Sequence, residues 1–364
     1  MTGVRTTEPP LSADVAARRH GLRSGWTTGT CASAAAKAAA TGLVAGTVPA
    51  DVEVGLPGGR RVTFAVEVEA PGRCVVVKDA GDDPDCTHGA RITAEVTAAT
   101  GATELRAGPG VGTVTLPGLG LPVGAPAINP VPRRMILAAL AEVTGEPLQV
   151  TFSVPGGEAM AAETTNARLG IVGGISLLGT TGIVRPFSTA AYRASVVQQV
   201  DVAAAQGQDT MVLATGHRSE AAARRLHPDL DPVCFVEVGD FTGIALRRVA
   251  ARGMGTVHFV GMAGKITKLA RGVMMTHFHR SEVDGELLAA VAERAGAPPA
   301  VRSAATATAT ARHFFEVCLA EACLAPLAEL CHLARTACLA HVGHALHVEV
   351  VMVDFEGAMV VARA

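Results

Sequence analysis

The chain has 364 residues, too many for one core of ordinary domain size and about right for two. Its 31 Lys+Arg against 33 Asp+Glu leave a formal charge of -2, which excludes a polybasic field for nucleic acid or an anionic membrane surface. Eight scattered cysteines predict reduced thiols, and the absence of any run of about 18 apolar residues free of charge or Pro predicts no membrane span.

Residues 1–20 mix charges with Pro, lack the apolar core of a secretory signal and read as a flexible tail, so a cytoplasmic location is expected. An Ala-rich helix follows from Thr30 to Thr41. The alternating stretches DVEVGLPGGRRVTFAVEVEA and RCVVVKDAG, broken by Pro-Gly and Gly-Gly turns, predict antiparallel strands. RITAEVTAAT, a Gly/Pro-rich segment, the helix RRMILAALAEVTG and the strand LQVTFSVP complete an α+β domain over residues 21–165.

From Leu169 the rhythm is regular. LGIVGGISLLG, DTMVLATG, PVCFVEVG and TVHFVGM are apolar runs expected as strands of a parallel sheet, with TAAYRASVVQQVDVAAAQG, SEAAARRL, FTGIALRRVAARG and GKITKLARG as the helices between them. Helices fill Glu286 to Val342, and LHVEVVMVDFEGAMVVARA forms two strands about Glu356-Gly357. The expected fold is therefore an α+β N-terminal domain, then a doubly wound, three-layer α/β domain with C-terminal helices over residues 166–345, then terminal strands over 346–364.

Ligands of open parallel sheets bind outside the carboxyl ends of the strands. The polar residues after the four expected strands are Gly179-Thr180-Thr181-Gly182, Thr215 to Ser219 with Gly216, Gly239-Asp240, and Gly261 to Lys265. Asp240 is the natural acceptor for ribose hydroxyls. The dinucleotide and P-loop glycine signatures are missing, which disfavours a nicotinamide-dependent reductase or a triphosphate site.

Three other clusters stand out. Thr27, Thr28, Gly29 and Thr30 at the start of the Ala-rich helix exceed the single hydroxyl a cap needs, and form either a cap or an anion cradle; Cys31 reads as a small buried thiol. KDAGDDPDCTHG concentrates Asp79, Asp82, Asp83, Asp85 and His88, which attract a cation, exchange a proton, or simply make a solvated turn. Its spacing is not that of a calcium loop, and the C-terminal Cys and His residues contain no C-x-x-C pair, so no metal site is expected.

LRSGWTTGTCASAAAKAA, VKDAGDDPDCTHGA, GPGVGTVTLPGLGLPVGAPAINPVPRRMI, SVPGGEAMAAETTNARLGIVGGISLLGTTGIVRP, TGHRSE, VGDFTGIALRRVAARG and VGMAGKITKLARGVMMTH occur in order from Leu22 to His279. With these segments the chain resembles the CbiD family of cobalt-precorrin-5B C(1)-methyltransferases. The resemblance implies methyl transfer from S-adenosyl-L-methionine to C1 of cobalt-precorrin-5B, giving cobalt-precorrin-6A in anaerobic cobalamin biosynthesis. It implies an α+β first domain and a Rossmann-like three-layer α/β second domain, S-adenosylmethionine as cosubstrate, and cobalt only as part of the corrinoid substrate. It leaves room for a homo-oligomer and gives no role to nucleic acid or membrane.

On that footing Gly179, Thr180, Thr181, Gly182, Gly216 and Asp240 are expected at the cofactor. Thr27, Thr28, Gly29, Thr30, Arg133, Arg134, Arg168 and Arg185 are expected at the macrocycle carboxylates. His88, with Asp82, Asp83 and His277, is expected to manage a proton. The alternative is a non-catalytic corrinoid carrier using the same cations.

Overall fold

The structure is a computed structural model and describes residues 21–276, 285–307 and 310–364. It divides into two compact units that meet in sequence at Thr189 and Ala190. Among the described residues no helix is long and apolar enough to cross a membrane.

The first unit is built on helix α1 (Thr28–Ala45) and a five-stranded sheet. In the sheet, β4 (Glu67–Ala70), β5 (Arg73–Val77), β6 (Arg91–Ala98) and β10 (Leu148–Ser153) run antiparallel in that order, and β7 (Glu104–Ala107) joins β10 in parallel. A hairpin of β2 (Asp51–Gly55) and β3 (Arg61–Ala65) packs on α1. The alternating burial along β10 is the two-residue period of a strand with one face on a core.

α1 packs on β5, β6 and a second helix, α2 (Pro130–Ala141), and this explains its composition. Ala32, Ala34, Ala35, Ala36, Ala38, Ala39 and Ala40 are all fully buried, so the helix is enclosed on every side and small side chains set the approach distance. A Cβ on Gly42 would lie 1.8 Å from the Pro71 carbonyl oxygen, and one on Gly29 would lie 2.5 Å from Pro132 Cγ. The helix ends four residues beyond the expected stop, at Gly46 in the left-handed conformation, whose N–H donates to the Gly42 carbonyl.

LGIVGGISLLG is not the first strand of a parallel sheet. It belongs to the first unit as two short pieces: β11 (Ile171–Val172) pairs with β9 (Thr113–Val114), and β12 (Gly174–Ile175) with β8 (Gly110–Val111). The glycines that look like turn punctuation are contact points, since a Cβ on Gly174 would meet the Gly110 carbonyl at 2.1 Å. Downstream, β13 (Ile183–Val184) pairs with β1 (Gly25–Trp26) and closes the segment onto the start of α1.

In the second unit the sheet order is β15 (Phe235–Glu237), β14 (Thr210–Ala214), β16 (Thr256–Gly261), β17 (His347–Val353), β18 (Val360–Arg363). The first four are parallel and β18 is antiparallel. The two terminal strands are thus integral to this sheet. Beyond the short helix α3 (Gly157–Ala162) of the first unit, α4 (Ala190–Ala205) leads into β14, α5 (His217–Leu226) joins β14 to β15, α6 (Thr242–Ala251) joins β15 to β16, and α7 (Ala263–Ala270), α8 (Gly285–Arg294), α9 (Pro299–Ala307), α10 (Ala311–Ala320) and α11 (Ala325–His341) lie between β16 and β17. The start of SAATATATA, from Ser303 to Ala307, supplies the last turns of α9.

Candidate active site

The polar residues at the start of α1 are spent inside the protein. Thr28 Oγ1 donates to the Ser176 carbonyl at 3.0 Å and accepts from Leu178 N–H at 2.9 Å. Thr30 Oγ1, fully buried, donates to the Gly182 carbonyl at 2.8 Å, and Thr27 N–H donates to the same oxygen at 3.1 Å. Gly29 N–H donates to the Leu178 carbonyl, and Thr27 Oγ1 caps the helix by accepting from Thr30 N–H at 3.3 Å. The cradle expected to hold a ligand carboxylate therefore holds the carbonyls of 176–182.

Gly179 and Gly182 are required by that closure. Both have positive φ, and a Cβ on Gly179 would lie 2.4 Å from Thr27 Oγ1. Their place against α1 removes the premise that put them at a parallel strand end. Thr180 and Thr181 form the exposed tip of this loop. Cys31 is sealed behind it, and burial pushes its thiol up to about 12, which excludes an activated nucleophile.

The acidic loop folds against residues 23–26 and against Phe187. Arg23 forks onto Asp79, and its N–H donates to Asp82 Oδ2 at 2.6 Å. The Arg23 hydrogen bond holds the Asp79 carboxyl below its ordinary range. Lys78, 1% exposed, donates to Asp85 Oδ2 at 2.6 Å, while Asp85 Oδ1 accepts from Thr87 Oγ1 and N–H. Burial alone would raise the Asp85 carboxyl, but Lys78 and Thr87 outweigh it and the net direction is down. Asp83 Oδ1 accepts from Phe187 N–H at 2.7 Å.

His88 is exposed, and its Nδ1 accepts from Ala80 N–H at 3.1 Å. An accepting Nδ1 places the neutral ring's proton on Nε2, so His88 presents a donor to solvent. His277 lies outside the described residues. Arg133 and Arg134 on the first turn of α2 and Arg185 beyond β13 are exposed and make no side-chain hydrogen bond or ion pair among the described residues. Arg168 is exposed on the turn Asn166–Leu169.

Three of the four expected strand-end loops lie at the carboxyl edge of the sheet in the second unit, where the loop after β17 joins them. The chain leaves β14 toward β15 on one side, and leaves β16 toward β17 on the other, so a topological switch falls between β14 and β16. Thr215-Gly216 follows β14, with Ser219 Oγ accepting from Gly216 N–H at 3.0 Å. After β15, Asp240 is held by Lys265 and accepts from Thr276 Oγ1 at 3.2 Å.

The family model for CbiD matches residues 15–186, and that for the CbiD C-terminal domain matches residues 275–364. A cobalt-precorrin-5B C(1)-methyltransferase of Salinispora arenicola is 57% identical, over 98% of this chain and 96% of its own. The chain belongs to the CbiD family. A relative of the same name from Thermus thermophilus is 49% identical over 93% of each chain. A solved structure described as cobalamin biosynthesis protein (cbiD) from Archaeoglobus fulgidus shares 31% identity, covering 70% of this chain and 82% of that one, at a TM-score of 0.41.

One residue of this CbiD chain escaped notice in the sequence. Glu237, the last residue of β15, has its Oε1 4.0 Å from the position a Gly216 Cβ would take, and its carboxylate has no hydrogen bond or ion pair among the described residues. Tyr192 Oη donates to its backbone carbonyl at 2.8 Å. Asp240, three residues on, carries the same charge on a loop and masks it in a sequence reading; only strand register shows which carboxylate faces the Gly216 loop.

Proposed function

We propose that this chain transfers a methyl group from S-adenosylmethionine to C1 of cobalt-precorrin-5B, the activity for which its relatives are named. The observation that carries the reading is 57% identity sustained over 98% of the chain. The cosubstrate supplies the methyl group, activated on a sulfonium.

We assign its place to the carboxyl edge of the second sheet, read as Rossmann-like from the β15-β14-β16-β17 order. The fit rests on the switch between β14 and β16, the small residues Thr215-Gly216, and a carboxylate free to accept ribose hydroxyls. Glu237 takes that acceptor role. Asp240, already neutralised by Lys265, acts as an anchor for the loop after β15.

The macrocycle carries carboxylate side chains, so it calls for cations that are not already paired. Arg133, Arg134 and Arg185 meet that condition; Arg168 on the turn Asn166–Leu169 and the hydroxyls of Thr180 and Thr181 are retained as further candidates. Both Pro132 and Leu178 touch the Gly29 position, so the first turn of α2 and the loop tip flank one helix start. Thr27, Thr28, Gly29 and Thr30 hold this surface in shape. At the acidic loop, His88 Nε2–H serves as a proton or hydrogen-bond donor, and the unengaged oxygens of Asp82 and Asp83 as acceptors, with His277 retained as a further candidate.

The test is anaerobic incubation of the full chain with methyl-labelled S-adenosylmethionine and cobalt-precorrin-5B. Label in the corrinoid product is expected. Tight corrinoid binding without transfer and without any stabilisation by S-adenosylhomocysteine would overturn the reading in favour of a carrier.

A further inference from the structure

Away from the strand ends, on a half-buried face of the second sheet, three side chains with metal-ligating atoms converge. His258 in β16 and Glu349 in β17 are register partners, and His258 Nδ1 lies 2.7 Å from Glu349 Oε2. Helix α5 packs on this face through Ala222 and Ala223, against Val212, Val260 and Val351. Its end delivers His227, whose ring centroid is 4.2 Å from that of His258. One ligand atom from each of the three residues lies within 4.8 Å of the others.

We propose that His227, His258 and Glu349 form a site for one divalent transition-metal cation of the Zn2+ class, clasping the end of α5 to strands β16 and β17. Two imidazoles and one carboxylate suit Zn2+, Co2+ or Ni2+ and discriminate against Mg2+ and Ca2+, which take oxygen sets. Metal–nitrogen bonds of about 2.0–2.1 Å put tetrahedral donors roughly 3.3 Å apart, so small side-chain rotations suffice. Two of the donors are fixed by sheet register, and the third sits on a helix end.

Arg363 is the competing group. Its Nη1 is 3.9 Å from Glu349 Oε1, but the side chain is 60% exposed and can turn to solvent when a cation binds. α5 also begins at the Gly216 loop, so the clasp stiffens the helix that carries one strand-end loop at its other end. The site makes no claim on the methyl-transfer chemistry and stands independently of it.

The probe is Zn2+ itself, titrated calorimetrically into the chelator-stripped full chain carrying Cys86→Ser, which removes an exposed thiol. One saturable equivalent and a higher Tm are expected with Zn2+, and neither with Mg2+. His227→Ala and His258→Gln each lose that equivalent, while His313→Ala, on an exposed face of α10, keeps it. Bound Co2+ is expected to show visible ligand-field bands without thiolate charge-transfer absorption. His227→Ala changes only a half-buried helix end, so it reports even where the strand variant fails to fold. Retention of the equivalent in His227→Ala, or no saturable equivalent in the parent, overturns the proposal.

Discussion

The start of α1 and the strand-end loops of the second sheet use the same small and hydroxylated residues to opposite ends. At α1, each threonine hydroxyl from Thr27 to Thr30 has a protein partner, and the strap 176–182 occupies the helix start. At the second sheet, the loop after β14 offers Gly216 beside the unpaired Glu237 carboxylate. The contrast teaches that a helix N-terminus rich in donors identifies an anion site only once its donors are shown to be free.

The largest effect tests how far the first region is structural. Asp85→Asn strips the counter-charge from the buried Lys78 ammonium and is expected to cost about 3–5 kcal/mol in urea unfolding. The same pair fixes a pH dependence. The Asp85 carboxyl is depressed in the folded chain, so its contribution is complete above the unfolded value of about 3.9 and is lost as pH falls through the lower folded value. Asp85→Asn should flatten that acid limb, and an unchanged limb would show that the pair does not matter to stability.

A middle effect bears on the closure itself. Thr30→Val removes a buried donor and leaves the Gly182 carbonyl with one hydrogen bond fewer, at an expected cost of about 1–3 kcal/mol. S-adenosylhomocysteine should stabilise this variant as it does the parent. Selective loss of ligand stabilisation would return the motif to a direct ligand role.

The smallest stability effect sharpens the second region. Glu237→Gln breaks no side-chain hydrogen bond or ion pair among the described residues and should change stability within the range of a surface substitution, about 0.5 kcal/mol either way. Its stabilisation by S-adenosylhomocysteine should nevertheless fall, while Asp240→Asn, which unpairs Lys265, should cost stability first. Equal ligand loss in both variants would restore Asp240 as an acceptor.

Much of the fold was legible. The alternation in β2, β3 and β10 and the apolar runs of β14, β16 and β17 identify strands because side-chain period and two-sided burial write directly into residue type. LGIVGGISLLG defeated the same rule. An apolar run bounded by glycines looks alike whether it crosses a parallel sheet or wraps a helix start in two-residue pairings. The site was legible as motifs and illegible as partners: Arg23 with Asp79 and Asp83 with Phe187 join distant segments. The His227, His258 and Glu349 cluster left no local signal, since its members share no helix face or short spacing.

By itself the sequence determined the family, the two-part α+β and α/β character, and the close-packing purpose of the alanine run, because these follow from composition, period and long motif strings. Only the tertiary structure decided which polar groups remain available for chemistry. A hydroxyl or carboxylate binds a ligand with what its protein partners leave unused, and those partners come from residues far away in the chain.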